Sequence, residues 1–210
     1  MSELDPEELE QRAKLTLDMC GGIQPMHISF YALSISYSAE RALAAFELYD
    51  HLIEHVADAA SLISSVQDAV GHIGALSRYF WPSPSGKKNS QHALRLARGE
   101  KLRKHYKIAD NSPLADRELR NAWEHFDEKL DTYVISNDAG YFFPTPIIDS
   151  HTLADDPTGK IFKLLDPEHE CLVLLGRKFF FRPLRDEVER IFSKKQKTYF
   201  IVDIPLSSFC

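Results

Sequence analysis

Arg120, Asn121, Glu124 and His125 bring together, within six residues, side chains able to handle a phosphodiester. A guanidinium stays charged at any working pH and offers paired donors to phosphate oxygens. An imidazole titrates near neutrality, so His125 can take a proton from a ribose 2′-hydroxyl or return one to a leaving 5′-oxygen. Asn121, one turn before His125, would orient that ring or hold a phosphate. Glu124 would tune the imidazole or belong only to an ion pair. These groups suffice for cleavage of RNA by internal transesterification without a metal ion. On a helix turning about 100° per residue, Leu119, Ala122, Trp123, Phe126, Leu130 and Tyr133 share the core face. The four polar residues fall opposite, so His125 is expected to meet solvent, a partner chain or a ligand.

Spacing alone carries little, because Arg98 and His105 make a second arginine–histidine match. Arg117, Arg120, Glu124, Asp127 and Asp131 also recur every three or four residues. They would serve equally as intrahelical ion pairs, with His125 incidental. The longer string adds a capped start at Ser112-Pro113, the Arg120-Asn121 pair and the Glu124-His125 pair, on the last helix of an apparent bundle. This string resembles the Arg-polar-x-x-x-His motif helix of HEPN domains, and the resemblance covers residues 38 to 133. It implies an up-and-down four-helix bundle and a homodimer whose motif helices face each other across a cleft. Active members are metal-independent endoribonucleases that leave 2′,3′-cyclic phosphate ends, many of them toxins or antiphage effectors. Arg120 matches the motif arginine, Asn121 the polar residue after it, and His125 the motif histidine. A toxin would imply an antitoxin partner. The alternative within the same resemblance is a non-catalytic module that binds protein or RNA.

Lys87, Lys88, Arg95, Arg98, Lys101, Arg103, Lys104 and Lys107 are offset only by Glu100. Arg95, Arg98, Lys101 and Arg117 are therefore the expected RNA-binding cations. The competing reading is a solvated helix face balancing acidic regions. The net charge of −6 gives no global attraction to nucleic acid, and Glu124, Asp127, Glu128 and Asp131 would repel it.

Other motifs compete less well. His51-Leu52-Ile53-Glu54-His55 has the inverted zinc-protease pattern, with two imidazoles four residues apart, but no third ligand follows. Cys20-Gly21-Gly22 reads as a helix end rather than a reactive turn. No glycine-rich nucleotide loop or Gly-x-Ser-x-Gly elbow occurs, so no metal or other cofactor is expected. The cysteines Cys20, Cys171 and Cys210 are odd in number and unpaired in spacing, which fits a reducing, cytoplasmic setting. The acidic amino terminus is unlike a signal peptide, and no apolar run is long enough for a membrane span.

The elements positioning these residues read as mainly α. A first helix follows Asp5-Pro6 and stops at Gly21-Gly22, and residues 27 to 35 are ambiguous between strand and helix. Helices are expected over 38–60, 61–79, 91–107 and 113–133. Phe46, Tyr49, Ile53, Val56 and Ala60 form the core face of the first of these. After Gly140 the texture changes to strands at 142–148, 160–165, 171–175, 178–182 and 198–204, with a hairpin turn at Asp166-Pro167-Glu168-His169 and a helix at 183–193. The organisation is an N-terminal helix and connector (1–35), a HEPN-like bundle (36–135) and a mixed strand and helix appendage (140–210).

Overall fold

Asp5 and Pro6 open α1 (Pro6–Cys20), where proline sacrifices no helix bond and Glu7 and Glu8 lie at the positive end. Gly21, in the left-handed region at φ 56°, ends the helix as the sequence predicts. Its N–H and that of Gly22 return to the carbonyls of Leu17 and Thr16. Gly22 must also lack a side chain, because a Cβ there would sit 2.7 Å from the backbone nitrogen of Arg98. The computed structural model describes residues 4–83 and 89–192 of the chain.

The ambiguous residues 27 to 35 are helical: a single 3-10 turn, Pro25–His27, leads into α2 (Ile28–Glu54). α2 stops short of residue 60. Val56 adopts φ 52°, and the N–H groups of Val56 and Ala57 bond back to the carbonyls of Ile53 and Leu52. Val56 is consequently 90% exposed rather than on the core face where the spacing put it. Asp58 then opens α3 (Ala59–Phe80), its carboxylate accepting bonds from the Ser61 N–H at 3.0 Å and hydroxyl at 2.7 Å. A β-branched residue in the left-handed region is strained. Val56→Gly should therefore stabilise the protein by about 1 kcal/mol. A raised urea midpoint with an unchanged slope would report it; an unchanged midpoint would mean that the turn carries no strain.

α4 (Ser90–His105) begins with the Asn89 side chain accepting from the His92 N–H at 3.0 Å. Glu10 of α1 reinforces this start, accepting from Asn89 Nδ2, the Ser90 N–H and Gln91 Nε2 at 2.7, 2.8 and 2.7 Å. A carboxylate there also meets the positive end of the helix dipole.

The helix expected over 113–133 is interrupted. Ser112-Pro113 starts only a 3-10 turn, Pro113–Ala115, and α5 (Glu118–Glu124) follows after Asp116 caps the Glu118 N–H at 2.8 Å. His125, at φ −117° and ψ 35°, breaks the chain again before α6 (Phe126–Ser136). The four strands expected in the described residues are present: β1 (Tyr141–Ile148), β2 (Gly159–Asp166), β3 (Cys171–Leu174) and β4 (Arg177–Phe180). They lie in sequence order, β1 parallel to β2 and the other pairs antiparallel. α7 (Arg182–Phe192) follows, and the strand expected at 198–204 lies outside the described residues. The described chain is thus mainly helical, with one small sheet towards its C-terminal end. Among the described residues no helix is long and apolar enough to cross a membrane.

The described residues form two compact units, one of 4–40, 75–83, 89–115 and 190–192, the other of 41–74 and 116–189. In the first, Ile35, Leu76, Phe80 and Leu114 are fully buried, and Tyr106 packs against both Phe80 and Phe192 at 5.5 and 5.6 Å. In the second, Phe46 stacks on Phe181 and Tyr49 meets it edge-on. Ile161, Leu164 and Val173 make the sheet's core, covered by Phe143, Ile147, Leu153 and Ala154.

Candidate functional site

Arg120 sits on α5 with its stem across Gly74 of α3. A Cβ at Gly74 would lie 2.4 Å from Arg120 Cδ, so only glycine leaves room for the side chain there. The guanidinium donates from Nη2 to Asn121 Oδ1 at 2.7 Å, and Nε faces Glu124 Oε2 at 3.3 Å. Nη1 is buried without a hydrogen-bond partner, and the side chain is only 14% exposed. Burying part of a guanidinium unsatisfied is costly, so this arrangement holds Arg120 in one place at some expense. The core face expected for this segment survives in α5, where Leu119 and Ala122 are buried.

His125 is the residue at the break between α5 and α6. Its N–H still bonds to the Asn121 carbonyl at 3.2 Å, and its own carbonyl accepts from the Lys129 N–H at 3.2 Å. The imidazole is 55% exposed, with Nδ1 at 3.6 Å from Glu128 Oε2. It therefore faces outward, as the helical wheel predicts. Arg120 makes its polar contacts with Asn121 and Glu124, whereas His125 makes its own with Glu128. The segment thus folds into a trio, Arg120 with Asn121 and Glu124, and a pair, His125 with Glu128, separated by a kink that the wheel did not contain.

The basic segment on α4 has structural partners. Lys101 Nζ donates to the Cys20 carbonyl at 2.9 Å, Arg98 Nη2 to the Arg78 carbonyl at 3.1 Å, and Arg103 Nη1 to the Phe80 carbonyl at 2.5 Å. These carbonyls lie at the C-terminal ends of α1 and α3, which lack intrahelical partners and carry the negative end of the dipole. Arg98 also lies over the Tyr31 ring and Arg103 over Trp81. Arg95 is exposed, Arg117 precedes α5 and is half-buried, and Lys87 and Lys88 lie outside the described residues.

A cleft of about 340 Å³ opens between α6 and the β3–β4 hairpin, lined by Phe126, Tyr133, Leu174 and Phe179 with Lys129 and Arg177. Neither Arg120 nor His125 lines it. Comparison with protein-family models, curated proteins and solved structures finds no match. Function therefore has to be argued from side-chain geometry.

Three further groupings bear on that geometry. His51, Glu54 and His55 each present a ligand atom within 4.8 Å of the others, and all three are exposed. His55 Nδ1 is already bonded to the His51 carbonyl at 2.8 Å. Lys163 of β2 has its ammonium 4.9 Å from the Trp123 ring centre, 4.8 Å from Phe126 and 5.0 Å from Phe162. Burial lowers its pKa, and the three ring faces supply the attraction that solvent does not. Sequence reasoning missed this cage, although Lys163 standing at an inward position among apolar strand residues was a usable signal.

The third grouping is His151, Asp166 and His169. Asp166, 3% exposed, accepts through Oδ2 from His151 Nδ1 at 2.6 Å and His169 Nδ1 at 3.0 Å. It also accepts the backbone N–H groups of His151 (2.9 Å) and His169 (3.1 Å). Burial by itself would raise the Asp166 carboxyl; the four hydrogen bonds outweigh it and hold the group well below the usual carboxylate range. Asp166 and His169 were legible as a turn, whereas His151 arrives through the parallel pairing of β1 with β2.

Proposed function

We propose that this protein is a HEPN-like, metal-independent endoribonuclease acting as a homodimer, with Arg120, Asn121 and His125 at its centre. On this reading α2, α3, α4 and the broken helix α5–α6 correspond to the four helices of the family's up-and-down bundle. The observation that carries it is a guanidinium held in one place against Gly74 and Asn121, with a solvent-open imidazole five residues further along the same motif. A fixed cation stabilises charge building on a pentavalent phosphate with little reorganisation. An exposed imidazole can exchange its proton with the 2′-hydroxyl or the leaving oxygen. A second copy would bring a second His125, so that one ring acts as base and the other as acid. A toxin or defence effector of this kind would be held in check by a partner protein in the cytoplasm.

The 14% exposure of Arg120 and its contact with Glu124 favour a second reading, a non-catalytic HEPN-like binding module. There the motif contacts would only brace α5 and α6. Incubating wild-type and His125→Ala protein with labelled RNA in excess chelator separates the two. Cleavage by wild type alone, leaving 2′,3′-cyclic phosphate ends, is the expected result, with a loss of at least about a hundredfold in the variant. No cleavage of structured or unstructured RNA by wild type would establish the module instead, and equal cleavage by both would remove His125 from the mechanism.

A further inference from the structure

We propose that His151, Asp166 and His169 bind a divalent transition-metal ion, with zinc as the best-fitting occupant. The donors are two imidazoles and one carboxylate, a set suited to borderline divalent ions and one that leaves coordination positions open. Three separate pieces of chain deliver them: the turn after β1, the last residue of β2, and the β2–β3 connection. One ligand atom from each lies within 4.8 Å of the other two.

Both Nδ1 atoms already converge on Asp166 Oδ2, at 2.6 and 3.0 Å. Ligand atoms around a tetrahedral zinc ion, at metal distances of about 2.0–2.1 Å, stand roughly 3.3 Å apart. Admitting an ion therefore requires His169 Nδ1 to draw back from Asp166 Oδ2 by about 0.3 Å and His151 Nδ1 by about 0.7 Å. The carboxylate would keep its place while they do, because the backbone N–H groups of His151 and His169 hold it independently of the rings. His151 is further braced edge-on against Phe180 at 5.3 Å. Neither Nε2 has a hydrogen-bond partner among the described residues, so each ring is free to carry its proton there and present Nδ1 to the ion. His169, half-exposed, leaves an entry path and room for water as a fourth ligand.

The His51, Glu54 and His55 group lacks these features. It stands on an exposed helix end with no buried anchor, and one Nδ1 is bonded to a backbone carbonyl. It therefore serves as an internal control.

The test uses the full chain without a polyhistidine tag, stripped with chelator and dialysed. It is titrated with Zn²⁺ by calorimetry and with Co²⁺ by visible absorption. Wild type is expected to bind one equivalent, with cobalt bands typical of nitrogen and oxygen ligation. His169→Gln alters a half-exposed ring, and retention of its fold is checked by circular dichroism. It should weaken binding by about tenfold or more. The His51→Gln, His55→Gln double variant should keep the full equivalent. No uptake by wild type, undiminished uptake by His169→Gln, or loss in the double variant instead would each overturn the proposal.

Discussion

Replacing Arg185 with alanine is expected to cost about 3–5 kcal/mol, because it leaves the buried Glu170 carboxylate without its inner partner. Arg185 of α7 donates from Nη1 to Glu170 Oε1 at 3.0 Å and Asp50 Oδ1 at 2.8 Å, and from Nε to Glu189 Oε1 at 2.9 Å. Its guanidinium lies over the Phe46 ring at 5.4 Å. The arms are unequal. The Asp50 and Glu189 side chains are about half-exposed, so solvent screens their ion pairs and they contribute less. Glu170 is 8% exposed and, among the described residues, retains Arg182 alone as a cationic partner, at 3.1 Å, once Arg185 is gone. The same charges act on the Tyr49 phenol, which burial first and then the Glu170 and Asp50 carboxylates push far above its ordinary pKa. Urea unfolding at pH 7 measures the loss, and Arg185→Lys should fall between the two, since it keeps a charge but not the fork. A loss below about 1 kcal/mol for Arg185→Ala would mean that water replaces the guanidinium and that Glu170 is not effectively buried.

Neither this network nor the motif's final geometry could be read from spacing. Where the chain announces its turns with residues of special backbone freedom, the sequence was informative. Gly21 ends α1, and the short apolar and β-branched runs after Gly140 place the four described strands to within a residue or two. Where a turn uses an ordinary residue, it was silent. Val56 ends α2 in the left-handed region with no glycine to mark it. His125 breaks α5 from α6 within an uninterrupted amphipathic pattern, and no glycine or proline marks the place. Arg120 lay on the polar side of the wheel, yet the missing side chain at Gly74, 46 positions away in the sequence, draws its stem inward. The cations of α4 read as either a phosphate track or a solvated face; three of them satisfy helix-end carbonyls that are distant in sequence. Distances of this kind come from tertiary structure alone. They explain why the residue types of the motif were legible and their contacts were not.

Asp166→Asn provides the second large effect, and its dependence on pH separates the carboxylate's charge from its shape. In the folded chain four hydrogen bonds hold the Asp166 carboxyl well below its ordinary value, whereas an unfolded aspartate titrates near about 3.9. A depressed carboxyl stabilises the fold fully above the unfolded value and loses that contribution as pH falls towards the folded one. At pH 7 the variant should be less stable than wild type by about 2–4 kcal/mol. Asparagine keeps the volume and one acceptor, but it brings an amide donor towards groups that are themselves donors. Below about pH 4 the difference should shrink by up to about 1.4 kcal/mol per pH unit, since only wild type then takes up a proton on unfolding at this position. Urea midpoints of both proteins at pH 7, 5 and 3 test this, and the carboxylates common to both cancel in the difference. A gap that stays constant down to pH 3 would show that Asp166 acts through hydrogen-bond geometry alone. A gap that narrows between pH 5 and pH 3 would establish a buried negative charge beside His151 and His169, the charge that a bound cation there would meet.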